Sequence, residues 1–169
     1  LDYLSEHIKE GMTTAEIDHM VYFFTTDHDA IPAPFGYEGF PKSVCTSIND
    51  VVCHGIPSTK EVLRNGDILN GDVSTIYKGY FSDASRMFMI GNVPPEWQRL
   101  VQVAKECRDI GVEMARPWIR LGDIGAAIQE HAEKNGYSVV RDLCGHGVGV
   151  KFHEEPDVEH FGKRGTGMM

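Results

Sequence analysis

The stretch from Asn70 to Phe88, Asn-Gly-Asp-Val-Ser-Thr-Ile-Tyr-Lys-Gly-Tyr-Phe-Ser-Asp-Ala-Ser-Arg-Met-Phe, constrains the fold of this chain more than any other. Val73, Thr75 and Tyr77 alternate up to Lys78-Gly79, and Tyr80, Phe81, Met87 and Phe88 follow, which predicts a β-hairpin whose tight turn needs glycine. With Tyr77 facing Tyr80, Asp72 lies opposite Ser85 and shares a face with Asp83, next but one along the second strand. Two carboxylates on one partly buried face repel, and neither tolerates loss of water unless it is protonated or meets a cation. A divalent metal answers both demands. An open, solvated sheet face is the other reading that the spacing leaves standing.

The 169 residues are 41% hydrophobic and 24% charged, the make-up of one globular domain spanning 1–169. A net charge of −9 and a pI near 5.3 argue against phosphate-backbone binding, and no block of Lys and Arg marks a nucleic-acid site. Without a long apolar run or a secretory leader, the expected compartment is the cytoplasm, with no membrane partner. Cys45, Cys53, Cys107 and Cys144 are spaced like neither a zinc finger nor a disulfide framework, so reduced thiols are expected. Leu1 to Ile8 opens at helical spacing with no cap before it, and Gly165-Thr166-Gly167-Met168-Met169 reads as a loop leading into a strand. Both features make a fragment of a longer chain the expectation.

Thr13 with Glu16 forms the capping-box pattern of a helix that carries Ile17, Met20, Val21 and Phe24 on one face. Ile31-Pro32-Ala33-Pro34 breaks that pattern, and a glycine-spaced aromatic loop with Phe35, Tyr37 and Phe40 follows. Ser43 to Ile48 alternates like a strand, and Val51 to Pro57 sets His54 at a Gly/Pro turn, where a histidine is by itself more often solvated or structural. Pro94-Pro95 opens a helix with Leu100, Val103, Cys107, Ile110 and Met114 facing a core. Asp123 is expected to cap the next helix, which ends at Asn135-Gly136, and Tyr137 to Val140 reads as a strand. Helix, helix, strand thus occurs twice, an echo that suggests duplicated halves.

A second chemically loaded stretch is Cys144-Gly145-His146-Gly147-Val148-Gly149-Val150-Lys151-Phe152-His153-Glu154-Glu155-Pro156. Its alternating glycines and the lack of a following helical pattern exclude a dinucleotide fingerprint. Imidazole beside carboxylate suits Zn, Mn, Fe or Co, and a catalytic ion fits better than a structural zinc. A Cys-His nucleophile pair built on Cys53 or Cys144 is the competing chemistry.

Gly39-Phe40-Pro41-Lys42-Ser43, Val51-Val52-Cys53-His54-Gly55-Ile56-Pro57, Asp83-Ala84-Ser85-Arg86-Met87-Phe88 and Cys144-Gly145-His146-Gly147-Val148-Gly149, then Phe152-His153-Glu154-Glu155-Pro156, resemble the type I methionine aminopeptidase family nearly end to end. The resemblance implies an α/β pita-bread fold with pseudo-twofold halves, here C-terminally incomplete, and a dinuclear site for two divalent metal ions (Co, Mn, Fe or Zn) with five protein ligands. Asp72, Asp83 and His146 match three of the ligands, and the two glutamates have no counterpart in this chain. The chain alone is therefore expected to be inactive. His54 and His153 match histidines that contact the substrate, and Tyr37, Phe40, Cys45 and Phe152 match residues of the methionine pocket.

The implied reaction is removal of the N-terminal methionine of nascent polypeptides with a small second residue, by a monomer, with the ribosome as a candidate partner. Gly71 stands where the family has a branched apolar residue and is expected to loosen Asp72. A prolidase-like or aminopeptidase P-like hydrolase and a non-catalytic binding module of the same fold are the competing identities.

Overall fold

The computed structural model describes residues 1–169, which form two compact units: Leu1–Pro94 with Val148–Phe152, and Pro95–Gly147 with His153–Met169. No helix is long and apolar enough to cross a membrane.

In the first unit, helices α1 (Asp2–His7) and α2 (Thr14–Asp27) precede a four-stranded antiparallel sheet of β1 (Ile31–Pro32), β2 (Cys45–Ile48), β3 (Ile68–Tyr77) and β4 (Tyr80–Met89). β3 pairs with β4 along its whole length on one edge, and with β2 and then β1 on the other. The hairpin register is the expected one: Tyr77 faces Tyr80, Asp72 faces Ser85 and Ser74 faces Asp83. Lys78 (φ 52°) and Gly79 (φ 85°) are both left-handed, as a two-residue turn between twisted strands requires. Pro32 does more than break a helix. Its strand pairs only with β3, at the sheet edge, where the missing N–H costs no ladder bond.

Successive residues of a strand point to opposite faces, so Leu69, Val73 and Phe88 face one way and Asp72, Asp83 and Ser85 the other. The first set joins Leu4, Ile17, Val21, Val44, Leu63 and Ile90 in the core. α2 begins with the expected capping box, in which the Thr13 hydroxyl accepts from the Glu16 N–H and the Glu16 carboxylate accepts from the Thr13 N–H. Its face divides: Ile17 and Val21 are buried, whereas Phe24 lies outside the core and stacks on Tyr3 at 4.6 Å. Buried Asp18 ties α2 to the start of β2, accepting from the Ser43 N–H at 2.7 Å and from Lys42 Nζ at 3.2 Å.

The second unit holds α3 (Pro95–Met114), α4 (Leu121–Lys134) and a small antiparallel pair, β5 (Gly145–Gly147) and β6 (Glu154–Val158). α3 and α4 pack together, and His131 Nε2 meets Glu106 Oε2 at 2.8 Å. Along α3 only Val103 is buried, and Cys107 is half-buried rather than core, its thiol donating to the Ile128 carbonyl. Burial still pushes that thiol up.

Two local expectations fail. Asp123 does not cap α4; Arg120 holds that position, and the first N–H groups are taken by carbonyls of Met168 and Thr166 at 2.8 and 3.1 Å. Asp123 instead accepts from the Gly165 N–H at 2.7 Å. Residues 137–140 form no strand, because alternation supplies a face and not a partner, and no segment of the chain pairs with them.

Candidate metal centre and substrate pocket

The carboxylate face of the first unit is built on the β2–β3–β4 ladder. Cys45 lies opposite Asp72, which lies opposite Ser85, while Asp83 faces Ser74. Ser74 is buried, and its hydroxyl donates to Asp83 Oδ1 at 2.8 Å, holding that carboxylate in one orientation. Cys45 is also buried, and burial followed by the negative charges of Asp72 and Asp83 pushes its thiol up to about 12. The face thus carries two like charges beside a neutral thiol.

Gly71 does not leave slack beside Asp72. A Cβ there would fall 2.9 Å from Cε2 of the buried Phe88 ring, so the glycine lets that ring close against the strand. The expected loosening is offset by packing from below.

His54 lies in the loop after β2, exposed and left-handed at φ 55°, a conformation uncommon for a side chain of this size. The loop is pinned to β2 at Gly55, whose carbonyl accepts from the Thr46 N–H at 2.9 Å and whose N–H donates to Ser47 Oγ at 3.2 Å. A Cβ on Gly55 would sit 1.9 Å from the Thr46 oxygen, so only glycine permits this approach.

Of the expected pocket residues, Tyr37 and Phe152 meet edge to face, with ring centroids 4.8 Å apart. Phe40 is half-buried and closes the turn Tyr37–Gly39, its carbonyl accepting from the Gly36 N–H at 2.8 Å. Phe81, absent from the sequence-based list, stacks on Phe152 at 5.5 Å. It precedes Asp83 by two on β4 and so shares the carboxylate face. That same periodicity would have found it, as it would have found Ser74.

In the second unit, His146 on β5 is half-buried and faces Asp157 across the pair, with a bulge after it. Its Nδ1 lies 2.9 Å from the Gly147 carbonyl, a contact that orients the ring on its strand. The exposed His153 ring is 4.4 Å from that of His146.

No group of three or more His, Cys, Asp or Glu side chains is arranged to hold a metal ion by itself. Asp72 and Asp83 share one sheet face, and His146 stands beside the His153 ring. The chemistry of Asp72, Asp83 and His146 nevertheless fits a divalent ion: hard carboxylate oxygens whose repulsion a cation relieves, and an imidazole, a common ligand of such ions.

The model of metallopeptidase family M24 matches residues 1–169. A methionine aminopeptidase of Rickettsia prowazekii (strain Madrid E) is 51% identical over 168 residues, covering 99% of this chain and 64% of that protein. The chain therefore spans less than two thirds of that relative's length. A crystal structure of methionine aminopeptidase from Rickettsia prowazekii superposes with a TM-score of 0.96 at 50% identity, over 99% of this chain and 67% of that one. An X-Pro aminopeptidase structure from Thermotoga maritima gives a TM-score of 0.74 at 21% identity, over 94% of this chain and 44% of that one, a likeness of fold alone.

Proposed function

Because the chain belongs to metallopeptidase family M24, whose α/β pita-bread fold it shares, we propose that its protein removes the N-terminal methionine from nascent proteins and peptides with a small second residue. The observation that carries this reading is the hairpin register, which sets Asp72 and Asp83 on one face beside the buried, neutral Cys45. Residues 1–169 belong to one catalytic domain in this reading. Asp72, Asp83 and His146 hold two divalent ions, of Co, Mn, Fe or Zn. Two glutamates complete the set, drawn from the part of the relatives' length that this chain does not match, so the chain alone is inactive. When bound, the ions supply Lewis acidity toward the scissile carbonyl and acidify water.

The chain's own residues do the rest. Ser74 keeps Asp83 oriented through its 2.8 Å hydrogen bond, the kind of outer contact that tunes a ligand. His153 and His54 donate hydrogen bonds to the peptide's carbonyl oxygen and nitrogen as charge develops there. Tyr37, Phe40, Cys45 and Phe152 receive the methionine side chain, whose thioether packs well against aromatic rings. Cys45 brings a buried thiol to that apolar pocket, and burial itself disfavours its charged form. The protein acts in the cytoplasm as a monomer, with the ribosome as a candidate partner.

The test is release of free methionine from a Met-Ala peptide by the full-length protein, with Mn or Co and after chelation. Release should require metal. Asp83→Asn should abolish both metal content and release while leaving the circular dichroism unchanged, since it removes charge at nearly constant volume. A variant that keeps full metal and turnover contradicts the hairpin assignment, and faster release of X from X-Pro peptides contradicts the choice of substrate.

A further inference from the structure

The wall of rings in the first unit has one member on a regular strand. Tyr37 sits in a short turn flanked by left-handed Gly36 and Gly39, and Phe152 ends the irregular segment Val148–Phe152. Phe81 lies within β4, in register with Ile76 of β3. Side chains carried by paired strands are placed more reproducibly than those carried by loops.

Phe81 also reaches the 148–152 segment twice. Its N–H donates to the Gly149 carbonyl at 2.7 Å, and its ring lies nearly parallel to that of Phe152, at 5.5 Å and 18°. Val148 and Val150 of that segment are exposed, at 38% and 68%, so they contribute little apolar burial to hold it, while Phe152 is 9% exposed. The ring that Phe81 touches is the buried anchor of the segment.

We propose that Phe81 is a positioning residue of the methionine pocket, holding the Phe152 ring at the angle and depth that receive the substrate side chain. The assignment rests on the reading that Phe152 lines that pocket. Phe81 acts through Phe152 and makes no contact with the scissile bond. Pocket contacts of this kind are the same in the ground state and the transition state, so their loss is felt in KM and not in kcat.

The experiment is steady-state kinetics of the metal-loaded full-length protein on a Met-Ala peptide, for wild type, Phe81→Ala, Phe81→Leu and Phe81→Tyr. Amide hydrogen exchange of residues 148–152 is followed in parallel. Phe81→Ala should raise KM about 2- to 12-fold, the worth of one aromatic pair, with kcat held within about twofold. Exchange in the segment should quicken without a matching fall in the thermal midpoint. Phe81→Tyr should restore both readouts, because it keeps the ring. Phe81→Leu keeps apolar bulk without a ring face and should behave as Ala does, so the test stands even where Ala fails to fold.

An active wild type beside Ala and Leu variants of unchanged KM overturns the assignment of Phe81 and leaves the pocket reading intact. A fall in kcat at constant KM also overturns it, because the ring would then be acting on Asp83. A full-length wild type that releases no methionine defeats the pocket reading and this assignment with it.

Discussion

His146 and His153 stand ring against ring at 4.4 Å, yet the proposed function gives them different roles, metal ligand for the first and substrate contact for the second. In the full-length protein, His146→Ala should lower metal occupancy, since a ligating nitrogen is lost. His153→Ala should keep the metal and reduce turnover on the order of 10²–10³-fold, as expected for one oxyanion donor. Atomic emission beside kinetics on a Met-Ala peptide separates the two, and equal metal loss in both variants would sink the division of roles. At this scale the sequence carried the carboxylates well, because a two-residue turn and a period of two place Asp72 and Asp83 without any knowledge of the core. It did not carry Gly71, whose consequence depends on a ring 17 residues away along the chain that only pairing brings beneath it. The cap of α4 was hidden for the same reason: its first N–H groups are met by distant backbone carbonyls, which leave no local signature.

Among the elements, α2 sets the level of β2, because Asp18 holds both Lys42 and the Ser43 N–H just before the strand that carries Cys45. Its start is secured by Thr13 and Glu16. Thr13→Ala should cost about 1 kcal/mol of stability, the usual worth of such a cap. Hydrogen bonds from the Thr13 N–H and then the Thr13 hydroxyl hold the Glu16 carboxyl below its ordinary range. A carboxyl whose pKa is lower folded than unfolded stabilises above its unfolded value, and that contribution disappears as pH falls through the folded value. Any stability gap between wild type and Glu16→Gln at neutral pH should therefore close on acidification. Thermal melts across that range check it, and a gap that widens in acid contradicts the capping role. Helices were legible here because a capping box is local, whereas 137–140 was misread because a strand is completed by a partner.

Over the whole molecule, the proposed ligands are Asp72, Asp83 and His146. The family matches all 169 residues, and the chain covers 64% of the Rickettsia prowazekii relative. An ion bound by fewer ligands is bound more weakly, and its affinity should depend steeply on each carboxylate that remains. Isothermal titration of the 169-residue chain with Mn, repeated on Asp72→Asn, Asp83→Asn and His146→Ala, tests this most directly. The account predicts weak binding by the wild-type chain, lost in either carboxylate variant and reduced in His146→Ala. Tight binding of two ions by the chain alone, or binding indifferent to Asp72 and Asp83, would contradict it.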